Sequence, residues 1–305
     1  MKQVLEAFEL LSSPSVTGHQ VAELLRSRGP VEVEVEHVVG ETADTDFVSC
    51  HVPGADPQRP ALGIIGRLGG LGARPQAVGL VSDADGGIVA VAAALKLADM
   101  ARQGDVLAGP VRIHTHICPS AATRPGSPVP MMRSPLPAAE MMRREVHPLM
   151  AAILSVDTTR GNRLVNQRGV AITPVVREGW VLPIPDQILD VLGWVSGQLP
   201  VTLPLTTQDI TPQENGLPHI NSIMQPSVVG TAPVIGVALT SQTVVPGCAT
   251  GVSNAADIDV ATRFCIEVAK RFAAGECAFF DQANWHALQQ RYGSLRHLQT
   301  LGTAT

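Results

Sequence analysis

The segment from Ile88 to Met100 constrains the fold more than any other. Its pattern is helical, and Lys96 and Asp99 are its only charged side chains. A helix that is apolar on nearly every side must be packed on by several other elements, which places it inside a large α/β domain. Its flanks support this. Val78 to Val81 reads as a short strand, and Ser82-Asp-Ala-Asp-Gly-Gly87 as an acidic turn. After breaks at Gly104-Asp105 and Gly109-Pro110, Val111 to Ile117 reads as the next strand. Strand, buried helix and strand in succession are the unit of an α/β protein.

Patterning elsewhere agrees with that class. Residues 2–12 and 18–28 read as a helical pair with Thr17 capping the second. Val31 to His37 alternates Val and Glu, the period of a strand with one wet face near a sheet edge. Further strands are expected at 44–52, 61–66, 151–156, 170–176, 180–182, 201–207 and 234–240. Further helices are expected at 139–150, 186–195, from the Asn254 cap to Phe272, and at 282–291. The expectation is one large α/β domain over residues 1–305, with irregular insertions near 118–138 and 208–218.

Composition excludes some functions. The net charge of −5 provides no basic footprint for nucleic acid. Arg124, Arg133, Arg143 and Arg144 lie in one region, but Glu140 and Glu145 interrupt them, so they suit a small anion at most. No stretch reaches the length of a membrane span, and MKQVLEAFELL reads as an amphipathic helix rather than a signal peptide. The five Cys are widely spaced without a CxxC, as expected of reduced thiols in a cytoplasmic protein. With only 16% charged residues, the surface is expected to be covered in a homo-oligomer. The partner class is a small molecule or small peptide.

Candidate chemistry sits just beyond or at the ends of apolar strands, where open α/β sheets bind ligands. Asp83 and Asp85 follow the 78–81 strand, Asp157 follows 151–156, and His114 and His116 share one face of the 111–117 strand. With His219 they form a candidate ligand set for a divalent metal, zinc or manganese. Each has an ordinary alternative: helix capping for the two aspartates, a polar sheet face for the histidines, and an Asx-turn for Asp157. Glu214 and His116 are candidate acid–base catalysts. Arg67, Arg160 and Arg163 are candidates to hold a substrate carboxylate.

Two resemblances extend this reading. The segments LGARPQAVGLVSDADGGIVAVAAALKLADM, HTHICP, SVDTTRGN and PGCATGVSNAADI resemble a full-length bacterial and archaeal family, domain of unknown function 1177. Residues 11–116 are similar in layout to the zinc aminopeptidase and deacylase clan, beginning with the turn Pro14-Ser-Val-Thr-Gly18. That second resemblance implies a three-layer α/β sandwich with a mixed, mostly parallel central sheet of phosphorylase/hydrolase-like type. It also implies metal ligation by Asp83 or Asp85, by Asp157, and by His219 or a residue near 247–253. The chain departs from the clan at two places. Where His-x-Asp is expected it reads Gly66-Arg67-Leu68, and where paired glutamates are expected it reads His114-Thr-His116-Ile-Cys118. Two functional readings follow. One is a metal-dependent hydrolase of amide bonds in small peptides or acylated amino acids. The other is a non-catalytic ligand-binding or structural homo-oligomer on the same scaffold.

Overall fold

The computed structural model describes residues 1–67, 73–74, 80–125, 131–159, 161–243 and 253–302. The strands are β1 (Glu32–Val38), β2 (Thr45–Val52), β3 (Ala61–Gly66), β4 (Ala73–Arg74), β5 (Val111–Ile117) and β6 (Ala121–Arg124). They continue with β7 (Met131–Met132), β8 (Met150–Thr159), β9 (Gly169–Ile172), β10 (Val175–Arg177), β11 (Trp180–Leu182) and β12 (Val234–Thr240). The helices are α1 (Lys2–Leu11), α2 (Gly18–Arg28), α3 (Asp85–Arg102), α4 (Ala138–Glu145), α5 (Asp186–Ser196), α6 (Ala255–Ala274) and α7 (Gln282–Tyr292).

Among the described residues the main sheet runs in the order β1-β2-β5-β3-β8-β12-β10-β11, with β9 also paired to β12. Its centre, β5-β3-β8-β12, is parallel, and the pairings outside it are antiparallel. The architecture is therefore α/β with a mixed sheet flanked by helices. The Val–Glu alternation of β1 lies at the sheet edge, as its pattern predicts, with Val33 buried and Glu32 and Glu34 exposed. The wholly buried β3 lies in the parallel centre, where both faces are covered.

The buried helix α3 is the hub of one face. Its Ile88, Val89, Leu95 and Leu97 join α1, α2, α5 and α6 and one face of the sheet in the larger core. The other face is covered by α4 and by mostly irregular chain between 201 and 228, through Leu203, Ile210, Ile223 and Met224. Thr17 closes α2 with a reciprocal capping box to Gln20, which fulfils the capping expectation. Among the described residues no helix is long and apolar enough to cross a membrane.

Several boundaries differ from the sequence reading, each for a local reason. Of the strand expected at 78–81, residues 78 and 79 lie outside the described residues, and Leu80 and Val81 belong to no strand. The strand before α3 in the sheet is β3. The 201–207 segment makes only a bridge between Thr202 and Ile172, because Pro200 and Pro204 lack the donors a ladder needs. The strand expected at 170–176 splits into β9 and β10 around Thr173-Pro174. Helix α4 stops at Glu145 instead of Met150, ahead of His147-Pro148, since the residue before a proline disfavours helix. Strand β8 runs on to Thr159, which puts Asp157 inside the strand. The irregular 118–138 insertion contains the short strands β6 and β7, and β4-β6-β7 form a second small sheet.

Two glycines let the start of α3 approach the strand ends. A Cβ at Gly66 would lie 2.5 Å from the Gly86 carbonyl oxygen and 2.7 Å from the Ala90 Cβ. A Cβ at Gly86 would lie 2.5 Å from the Val156 oxygen and 2.6 Å from the Arg67 oxygen. These neighbours are backbone atoms and one Cβ, none of which can rotate away, so the glycines set the spacing of β3, β8 and α3. Gly86→Ala is expected to destabilise the protein by about 1–3 kcal/mol through overpacking. Its urea midpoint should fall accordingly, and an unchanged midpoint would contradict the close approach.

Candidate functional site

The ends of β3, β5 and β8 and the turn before α3 open onto a cleft of about 930 Å³. Arg67 follows β3, His116 lies near the end of β5, and Asp157 near the end of β8. Asp83 comes from the 3₁₀ turn Ser82–Ala84, and all four line this cleft. The far wall is the irregular chain around Glu214, His219 and Ser222, and the mouth carries Arg124 and Arg133. The parallel strand ends thus open where α/β sheets usually bind ligands.

At the base lies a buried three-member network. The Arg67 guanidinium donates to Glu145 Oε2 at 2.5 Å, and His116 Nδ1 lies 2.9 Å from Glu145 Oε1. Glu145 is fully buried, Arg67 is 6% exposed and His116 is 2% exposed. Burial alone would raise the Glu145 carboxyl, but Arg67 and His116 outweigh it and hold it below its usual range. The Arg67 Nε is buried without a hydrogen-bond partner. The imidazole of His116 also rests against the Phe47 ring, with centroids 5.9 Å apart.

Asp157 forms a second polar centre. Its Oδ1 accepts from the Thr158 N–H at 2.7 Å, and its Oδ2 accepts from the Ser222 hydroxyl at 2.7 Å. Burial pushes its carboxyl up to about 6, against the opposing pull of Arg67 and Ser222. The loop supplying Ser222 is pinned by the buried Asp209. Its Oδ1 accepts from the N–H groups of Ile220 and Asn221, and its Oδ2 accepts from the Thr206 N–H and hydroxyl.

The sequence-derived candidates divide accordingly. Arg67, Asp83, His116, Asp157, Glu214 and His219 meet at one cleft; Asp85, His114 and Arg163 are not among its lining residues. Asp85 is buried under the start of α6, where it accepts from the Ser253 hydroxyl, and burial pushes its carboxyl up to about 8. The N-cap positions here are Val81, before the 3₁₀ turn, and Ala84, before α3, and neither makes a side-chain cap bond. His114 points into the face covered by α4, its ring 6.0 Å from that of His147. Both ring nitrogens of His219 lie near backbone carbonyls, Nδ1 at Leu217 and Nε2 at Thr211. Glu214 is exposed, adopts φ 73°, and accepts from the Ala138 N–H at the start of α4. Arg163 is exposed, and Arg160 lies outside the described residues.

Among the described residues, no three His, Cys, Asp or Glu side chains form a group that could hold a metal ion. Asp85, bonded to Ser253, and His114, beside His147, lie apart from the cleft lining. Cys50, Cys118, Cys265 and Cys277 are free and buried, and Cys248 lies outside the described residues. Burial pushes the Cys118 thiol up to about 11, which suits an inert thiol rather than a nucleophile.

Glu145 and Ser222 are the site residues that the sequence reading missed. Glu145 was legible in part, since it lies four and three residues after Met141 and Met142 on the apolar face of a short helix. A carboxylate on such a face is buried and therefore paired. Ser222 carried no comparable signal.

The family described as "Protein of unknown function (DUF1177)" matches residues 36–302, and the chain belongs to it. No curated protein matches the sequence. Among solved structures, the fold is similar to one titled "Bottromycin maturation enzyme BotP in complex with Mn". The identity is 14% and the TM-score 0.54, over 89% of this chain and 70% of that one, so the likeness is one of fold.

The buried His114 generates a pH prediction. Burial, then His147, lowers its pKa from 6.5 to about 4, and its Nδ1 has no hydrogen-bond partner. Between those values the unfolded chain binds a proton that the folded chain does not. Stability is therefore lost as pH falls from about 6.5 toward 4, by up to about 3 kcal/mol. Denaturation at a series of pH values should show this loss diminished in His114→Gln. Parallel profiles for the two proteins would refute the assignment.

Proposed function

We propose that the cleft is the active site of a hydrolase acting on the amide bond of a small, carboxylate-bearing molecule, either a short peptide or an acylated amino acid. The observation that carries this reading is Asp157. It is a buried carboxyl on the cleft wall whose pKa of about 6 lets it both accept and return a proton near neutrality. The His116–Glu145 pair supports it, since an imidazole held by a carboxylate is a common arrangement for proton transfer.

In this reading Asp157 takes the proton of an attacking water, and Ser222 and Thr158 hold the carboxyl in place through their hydrogen bonds. That proton then passes by way of His116 to the departing amine, so that both groups end as they began. Arg67, with its unpartnered Nε, and Arg124 and Arg133 at the mouth bind the carboxylate of the substrate. Glu214 and His219 shape the far wall.

The residues do not fit the zinc or manganese centre that the clan resemblance implies. Among the described residues its expected ligands form no group that could hold a metal ion, and the buried Arg67 guanidinium already supplies positive charge beside Asp157 and Glu145. No step is assigned to a metal.

A panel of dipeptides and N-acyl amino acids, followed by release of free amine, tests the reading. Hydrolysis is expected with a limb of the pH–rate profile near 6. Asp157→Asn should remove that limb and lower kcat by about 10²–10⁴-fold. Binding of panel members without turnover would favour a ligand-binding protein instead. Stoichiometric manganese or zinc that is lost in His116→Gln or Asp157→Asn would restore the metal-dependent reading.

A further inference from the structure

We propose that Glu145 is a positioning residue that fixes His116 with Nδ1 protonated, so that Nε2 is the nitrogen exchanging protons with the occupant of the cleft. This rests on the reading of His116 as an acid–base group, and it adds what sets the direction of the proton.

The argument follows from donors and acceptors. An ionised carboxylate only accepts hydrogen bonds, and a guanidinium only donates them. Glu145 spends Oε2 on Arg67 and Oε1 on His116 Nδ1. Arg67 keeps the carboxylate ionised, so Glu145 cannot become a donor toward the ring. Nδ1 must therefore carry a hydrogen whether His116 is neutral or charged, and the proton that comes and goes is on Nε2. Arg67 acts on the ring through Glu145. Burial of all three side chains, with Met141 and Met142 beside Glu145 on α4, keeps water from substituting for any partner.

The amide in Glu145→Gln has one accepting oxygen and one donating nitrogen. Arg67 can only donate, so it claims the oxygen, and the NH₂ group is left facing His116 Nδ1. The ring can then pair only by accepting at Nδ1, which moves its hydrogen to Nε2. Substitution should therefore reverse the tautomer, an effect that a purely structural role would not produce.

Long-range ¹⁵N–¹H correlation spectra of histidine-labelled protein read this directly, with His116 assigned by its absence in His116→Gln. At a pH high enough for the ring to be neutral, the intact protein is expected to show His116 with a protonated Nδ1 and an unprotonated Nε2, and Glu145→Gln to show the reverse. An Nε2-protonated ring in the intact protein overturns the proposal. So does an unchanged tautomer in folded Glu145→Gln. Should the variant not fold, the spectrum of the intact protein alone decides.

Amide hydrolysis separates this proposal from the reading beneath it. A kcat lowered by at least about 10²-fold in Glu145→Gln, with KM little changed, is the result expected for a misplaced tautomer. Tautomer reversal with no hydrolysis by either protein supports the positioning role and sinks the hydrolase. Hydrolysis by an intact protein whose ring is protonated on Nε2 does the opposite.

Discussion

The buried carboxylate of Glu145 ties together parts of the chain that the sheet alone would leave apart. It comes from α4 on one face and meets Arg67 beyond β3 and His116 on β5, which are neighbouring parallel strands. A buried ion pair is weak evidence of net stabilisation, because desolvation offsets the Coulombic gain. Its consequence is specificity of arrangement. With Arg67 and His116 both satisfied by one group, α4 has a single register on the sheet and the cleft floor has a single arrangement. Removing one member would leave a buried charge unpaired, at a cost of roughly 3–5 kcal/mol.

Close backbone packing makes that arrangement possible. Gly66 and Gly86 bring the start of α3 against the ends of β3 and β8, and the Arg67 N–H bonds the Val156 oxygen at 2.8 Å. The Thr158 hydroxyl then ties the end of β8 to the turn before α3 through the Ser82 oxygen. Asp157 and Arg67 are held within electrostatic reach by these contacts. The carboxyl pKa near 6 is the balance between burial and that neighbouring cation.

The strong periodic signals in the sequence translated into structure with little change. The apolar run of α3 became a fully packed helix, the Val–Glu alternation became the edge strand β1, and Thr17 became a capping box. Proline was the main reason for error. It reduced 201–207 to a bridge, split β9 from β10 and ended α4 early, and each effect outweighed an apolar pattern that favoured continuation. At the site, Asp83, His116, Asp157 and Arg67 were legible because strand ends in an α/β sheet converge. Asp85 and His114 had the same local signature but went into packing contacts, since side-chain parity and local helix position do not say which neighbour will cover a residue.

The sequence by itself determined an α/β chain with a buried crossover helix, an edge strand and titratable groups near the ends of central strands. Those features depend on periodicity and turn chemistry, which act over a few residues. Only the tertiary structure decided that Glu145 would stand between Arg67 and His116 and that Ser222 would hold Asp157. Those outcomes rest on contacts between residues 65 or more positions apart, apart from the 29 that separate His116 and Glu145. No local pattern encodes such pairings, because burial and the need to pair each buried charge are settled only when the layers close.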